Sequence, residues 1–137
     1  MPMARRFSSF GFLGIFGRSP DLRAMDAALR SADLHPRLVP EAVKLAAVRI
    51  VAEAAGDSDP AESAYLRAAE LLAYCMIGTE GFAAANGEAA TAAAEARLER
   101  AIDDEDGADA RIVLLAIHAK VMQPSVKHRF GFETSQD

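Results

Sequence analysis

Thirty of the 137 residues are alanine. Alanine has the highest helix propensity of any residue, and its methyl side chain lets neighbouring backbones approach closely. A chain built this way is steered towards packed helices. It is also left with little core volume, because only 40 of its hydrophobic residues carry a side chain larger than methyl. At this length one domain is expected, since about 150 residues can bury roughly 70% of their unfolded surface. A two-domain enzyme with an interdomain cleft is not expected.

Prolines stand at positions 20, 40 and 60, each followed closely by an acidic residue and then by helical periodicity. Proline suits a first helical turn because its missing N–H would be unbonded there anyway. The spacing predicts helices over Pro20–Ala32, Pro40–Ala55 and Pro60–Ile77. The first is capped by Ser19, and the third by an Asp59-x-x-Glu62 capping box. Gly56 and Gly78 are the expected stops of the second and third. Further helices are expected over Thr79–Asn86, Glu88–Asp103 and Ala108–Met122, with one last turn over Pro124–Arg129. The 108–122 segment is apolar nearly all round, which assigns it to the middle of the assembly. Leu34, Pro36 and Leu38 give the loop before Pro40 enough apolar surface to pack down. No segment alternates convincingly as a strand should. The expected fold is all-α, a compact bundle of five to six short helices with short connections. It is preceded by a basic, Phe/Gly-rich arm (1–18). The helical domain spans 19–129 and a short tail spans 130–137.

Six of the seven phenylalanines lie in the two ends: Phe7, Phe10, Phe12 and Phe16 in the arm, Phe130 and Phe132 in the tail. Both ends contain Phe-Gly-Phe. Several exposed aromatics would be a solubility liability, so these side chains need a destination. Three are consistent with the sequence. The ends dock together on the bundle; the arm attaches to another protein or a second copy; or Arg5, Arg6 and Arg18 meet anionic headgroups while the phenylalanines enter a membrane interface. Gly11, Gly14 and Gly17 weaken the arm as an isolated helix.

Formal net charge is −5, unevenly spread: +4 over residues 1–50, −11 over 51–110 and +2 over 111–137. Sequence-independent binding to nucleic acid has no electrostatic basis in such a chain. An acidic middle between basic ends could steer a basic partner or draw the ends back. The single cysteine, Cys75, precludes an internal disulfide, and the cytoplasm is the expected compartment, with peripheral membrane attachment as an alternative. No apolar run reaches the 18 or more residues of a bilayer span. Met1–Gly17 outlines a secretory leader, but its three glycines and the lack of a small-x-small site before Pro20 argue against one.

Catalytic candidates are few. His35, His118 and His128 show no metal-ligand spacing, and neither a metal nor a cofactor is expected. His118, in an apolar helix, is expected at the core or its boundary. With a pocket near Tyr65 or Tyr74, it is the focus of an alternative reading as a ligand-binding or enzymatic bundle. Cys75 should be buried and inert. Glu95, Glu99 and Asp103 share a helical face with Arg97 and Arg100 alongside, the pattern of an exposed, ion-paired surface. Residues Asp103–Asp109 lack the spacing of a calcium loop, and the arm's glycines form no phosphate-binding motif. The best-supported expectation is a non-catalytic helical interaction domain whose Phe-rich termini dock on the bundle or on a protein partner.

Overall fold

A computed structural model describes residues 19–132. These form seven α-helices and one 3₁₀ turn, with no strand among the described residues: α1 (Pro20–Ser31), the turn Pro36–Leu38, α2 (Glu41–Ala55), α3 (Glu62–Ile77), α4 (Thr79–Asn86), α5 (Glu88–Asp103), α6 (Ala108–His118) and α7 (Pro124–Phe130). The all-α bundle is as expected. The count is seven rather than five to six because the two shortest segments, α4 and α7, each complete a helix.

The centre is α3, not the segment after 108. It packs on α1, α2, α4, α5 and α6, and eight of its residues are buried, from Tyr65 to Cys75. Its alanines explain the role: Ala68, Ala69 and Ala73 on one helix let several neighbours approach. In contrast, α6 leaves Leu114 in solvent, so its all-round apolarity does not mark a central position.

Helix ends follow local bonding. Ser19 accepts a bond from the Leu22 N–H at 3.2 Å, capping α1 as expected. The Asp59–Glu62 capping box does not form. Ala61 is extended, α3 begins at Glu62, and no side chain caps it, because Asp59 lies too far back. Pro40 likewise precedes α2 rather than opening it. Helix α6 ends at His118 instead of Met122. Lys120 adopts a left-handed φ of 63°, and the Val121 N–H returns to the Ala116 carbonyl at 3.1 Å. That 6→1 bond defines a Schellman ending, usually signalled by glycine. Asp33 closes α1 in the same way, with φ 65° and a Leu34 to Leu29 bond of 2.9 Å. Leu34 and Pro36 then pack down as expected, whereas Leu38 points into solvent.

The tertiary bonds fix helix directions. Tyr65, early in α3, bonds Asp21 in the first turn of α1 at 2.9 Å. Lys44, near the start of α2, bonds Asp26 at 3.2 Å. Arg111 and Glu53 join the start of α6 to the end of α2. After α6 the chain returns to the far end of α3, where the Gln123 N–H meets the Cys75 carbonyl at 2.7 Å and its amide donates to the Ile77 carbonyl at 3.3 Å. Helices α1, α3 and α6 thus run one way while α2 runs the other. The described chain enters at one pole of α3 and leaves at the opposite pole. At the exit pole, Gly78 (φ 92°) passes so close to α7 that an added Cβ would lie 2.9 Å from Gln123 Cγ.

Candidate functional site

Two polar clusters among the described residues each tie three or more helices together. In the first, Arg97 of α5 is 7% exposed. Its guanidinium forks onto Asp109 of α6, with bonds of 3.1 Å from Nε and 2.8 Å from an Nη. It also reaches the Arg67 carbonyl of α3 at 2.9 Å, and Glu70 lies 4.0 Å away. Burial alone would raise the Asp109 pKa, but the bonds and charge of Arg97, with Arg67 and Arg100 nearby, hold the carboxyl below its ordinary range.

The second cluster lies at the exit pole. The fully buried Tyr74 donates to Glu95 Oε2 at 3.0 Å. Thr79 Oγ1 sits 2.7 Å from the tyrosine oxygen and 3.2 Å from the same carboxylate oxygen. Arg129 of α7 completes the group, its Nε 3.3 Å from Glu95 Oε2. Burial, together with Glu95, pushes the Tyr74 hydroxyl up to about 12. A tyrosine so placed keeps its proton and serves as a fixed donor joining α3, α4, α5 and α7. Glu95, Glu99 and Asp103 therefore do not form one exposed ion-paired face. Glu95 turns into this cluster and Arg97 into the other, while Glu99, Arg100 and Asp103 stay in solvent. Ile102 is exposed as well.

The Phe130-Gly131-Phe132 sequence has a local explanation. Gly131 takes a left-handed conformation (φ 73°) after the last residue of α7. The Phe132 N–H then returns to the Lys127 carbonyl at 2.8 Å and that of Gly131 to His128 at 3.3 Å. The motif is a helix ending whose glycine is needed for its positive φ. The two rings stack at 6.3 Å between centroids, with the Arg129 guanidinium 5.9 Å from the Phe130 centroid. Both rings are half-buried against the core. Arg5, Arg6, Phe7, Phe10, Phe12, Phe16 and Arg18 lie outside the described residues.

Of the other candidates, His35 uses Nδ1 to accept the Arg37 N–H at 3.1 Å. Cys75 is fully buried, and burial pushes its thiol up to about 12. His118 is exposed rather than at the core boundary, because α6 turns that face outwards. Tyr65 edges a shallow cavity of ≈ 380 Å³ between α1 and α3. Among the described residues there is no cluster of three metal-ligating side chains and no helix long and apolar enough to cross a membrane.

The feature that sequence reasoning missed is a groove between α2 and α6. It has a volume of ≈ 550 Å³ and is lined by Ala42, Leu45, Ala46, Arg49, Ile50, Arg111, Leu114, Leu115 and His118. Leu45 and Leu114 are 51% and 46% exposed. Arg49 and His118 form no ion pair or hydrogen bond with other described residues, whereas Arg111 pairs with Glu53. The groove therefore combines large apolar side chains with the Arg49 guanidinium and the Glu53-paired Arg111 at its rim, and has no acidic lining residue. A signal for it was present. Leu45 falls off the inward stripe of α2, and α6 has more apolar positions than one packed face can use. Compared with known proteins, the chain matches no family model, no curated protein and no solved structure.

Proposed function

We propose that this chain is a small non-catalytic helical interaction domain. Its Phe-rich ends dock on its own bundle, and the α2/α6 groove receives an amphipathic helix with acidic flanks from a protein partner. The observation that carries the reading is the juxtaposition of half-exposed Leu45 and Leu114 with Arg49, Arg111 and His118. Exposed leucines on adjacent helices, beside the small side chains of Ala42 and Ala46, offer the i, i+3, i+4 anchoring surface used in helix-in-groove recognition. The basic rim selects the flanks through complementary charge. The polar groups that do converge elsewhere bond one another inside the bundle, which fits a scaffold better than a reaction centre.

The test uses two synthetic amphipathic helices with the same leucine stripe, one flanked by glutamates and one by lysines, titrated into the full chain by fluorescence anisotropy. The glutamate-flanked peptide is expected to bind, with affinity falling about tenfold or more in Leu114→Asp and Arg49→Glu. Equal binding of both peptides, or no effect of either substitution, would overturn the groove's assignment.

A further inference from the structure

The described chain begins at a strongly acidic pole. Asp21 in the first turn of α1 is held by Tyr65, and Asp59 lies close enough to contribute, after burial and Asp21, to raising the Tyr65 hydroxyl to about 12. On the same pole the Asp57–Glu62 turn faces the start of α6, and the Asp103–Asp109 turn adds its carboxylates. Arg67, Arg97 and Arg100 are interspersed there, with Arg97 bonded to Asp109. Between these turns opens a cleft of ≈ 300 Å³, walled by Ile50, Val51, Ala54, Ala64 and Ile112 and edged by Asp59, Asp109 and Arg67.

The segment preceding this point, residues 1–18, contains Arg5, Arg6 and Arg18, four phenylalanines and no acidic residue. Its attachment point, Ser19, is two residues from Asp21, which Tyr65 ties to the helix carrying Ala64. A fully extended chain spans about 3.3 Å per residue, so an 18-residue segment can reach about 60 Å. Two of the other apolar surfaces suit the segment poorly. The α2/α6 groove has a positive rim, and the Phe130/Phe132 stack lies at the opposite pole beside Lys127 and Arg129.

We infer that the N-terminal arm docks intramolecularly on this acidic pole, its phenylalanines covering the Ile50/Ala64/Ile112 cleft and its arginines facing the Asp57–Glu62 and Asp103–Asp109 turns. This rests on the reading of the arm as a docking segment but not on the groove. The uneven charge along the sequence thereby becomes a contact in space, with the basic end laid over the acidic middle.

Hydrogen exchange of the full chain, read by mass spectrometry, tests the placement. Two variants are compared with the natural sequence: Phe10→Ala/Phe12→Ala/Phe16→Ala and Arg5→Glu/Arg6→Glu/Arg18→Glu. Both are expected to accelerate exchange about tenfold in 50–55, 61–68 and 108–112, with 90–98 unchanged. Acceleration confined to 42–50 and 114–118, or to the Phe130–Phe132 ending, would overturn the placement while leaving a docked arm. No change anywhere would overturn both. Loss of the effect on dilution, with a dimer in native mass spectrometry, would assign the cleft to a second copy's arm. Unchanged exchange with Phe-dependent sedimentation on phosphatidylserine vesicles would assign the arm to a lipid surface. Either outcome refutes the intramolecular contact.

Discussion

The Arg97–Asp109 pair joins α5 to α6 at the entry pole, and its two members are unequally buried, so removing one should cost more than removing the other. Truncating Asp109 to alanine leaves a guanidinium that is 7% exposed with only the Arg67 carbonyl at 2.9 Å and Glu70 at 4.0 Å. Breaking a buried pair in this way costs about 3–5 kcal/mol. The Asp109 side chain is 28% exposed, which weakens the interaction lost and places the expectation near the lower limit, about 3 kcal/mol. Arg97→Met removes the charge and leaves a half-buried carboxylate that water can reach, for a loss of about 1 kcal/mol. The double variant should be more stable than Asp109→Ala alone, because the stranded charge is gone. Urea denaturation followed by circular dichroism gives all four free energies, and Asp109→Ala should lower Tm by roughly 10 °C at about 3–4 °C per kcal/mol. The pH dependence has a fixed sign. The folded Asp109 pKa is lowered, so its stabilisation is complete above the unfolded value of about 3.9 and is lost as pH falls through the lower folded value. Asp109→Ala should lack that acid-side component. A loss below about 0.5 kcal/mol, or a double variant destabilised by the sum of the single losses, would refute the stranded-charge argument.

Three further outcomes are expected. Tyr65 and Tyr74 both stand at about 12, so the folded protein retains their protons longer than the unfolded chain. Stability should fall as pH rises from 10 to 12, and the fall should be smaller in Tyr65→Phe and Tyr74→Phe, as measured by urea titration at fixed pH. The thiol of Cys75, at about 12 and fully buried, should resist iodoacetamide at pH 8 in the native protein and react once urea unfolds it; rapid native labelling would contradict the buried placement. Gly131→Ala should cost about 1 kcal/mol through its positive φ, with Gly131→Asn costing less, and equal stability of all three would remove the basis for the helix-ending assignment.

Helix positions were legible in the sequence because alanine content and periodicity agree in most segments, and a proline stands at or just before the start of four of them. Two C-terminal ends stop short of the expected bound because a less usual residue occupies the left-handed position. Lys120 stops α6 where a glycine signal is missing, and Asp33 does the same for α1. Side-chain burial was legible for Tyr65, Leu72 and Cys75, which lie on an apolar stripe. It is not legible for Arg97, whose charge alone points to the surface although it shares a stripe with Ala94, Leu98 and Ala101. Its partner, Asp109, sits on the next helix, and only the turn through Gly107 brings them together. The groove was obscure for the same reason, since Leu45 and Leu114 are 69 positions apart and meet only because α2 and α6 run antiparallel.

The opposite exits of the described chain have a mechanical consequence. Anything fused or tethered at both ends places the bundle in series along the direction of α3. A pull then loads the parallel helices α1, α3 and α6 in shear along their length, so that many side-chain contacts must slip together, rather than peeling one helix at a time. Under such a load the survival time of the fold would be set by its unfolding rate instead of its equilibrium stability.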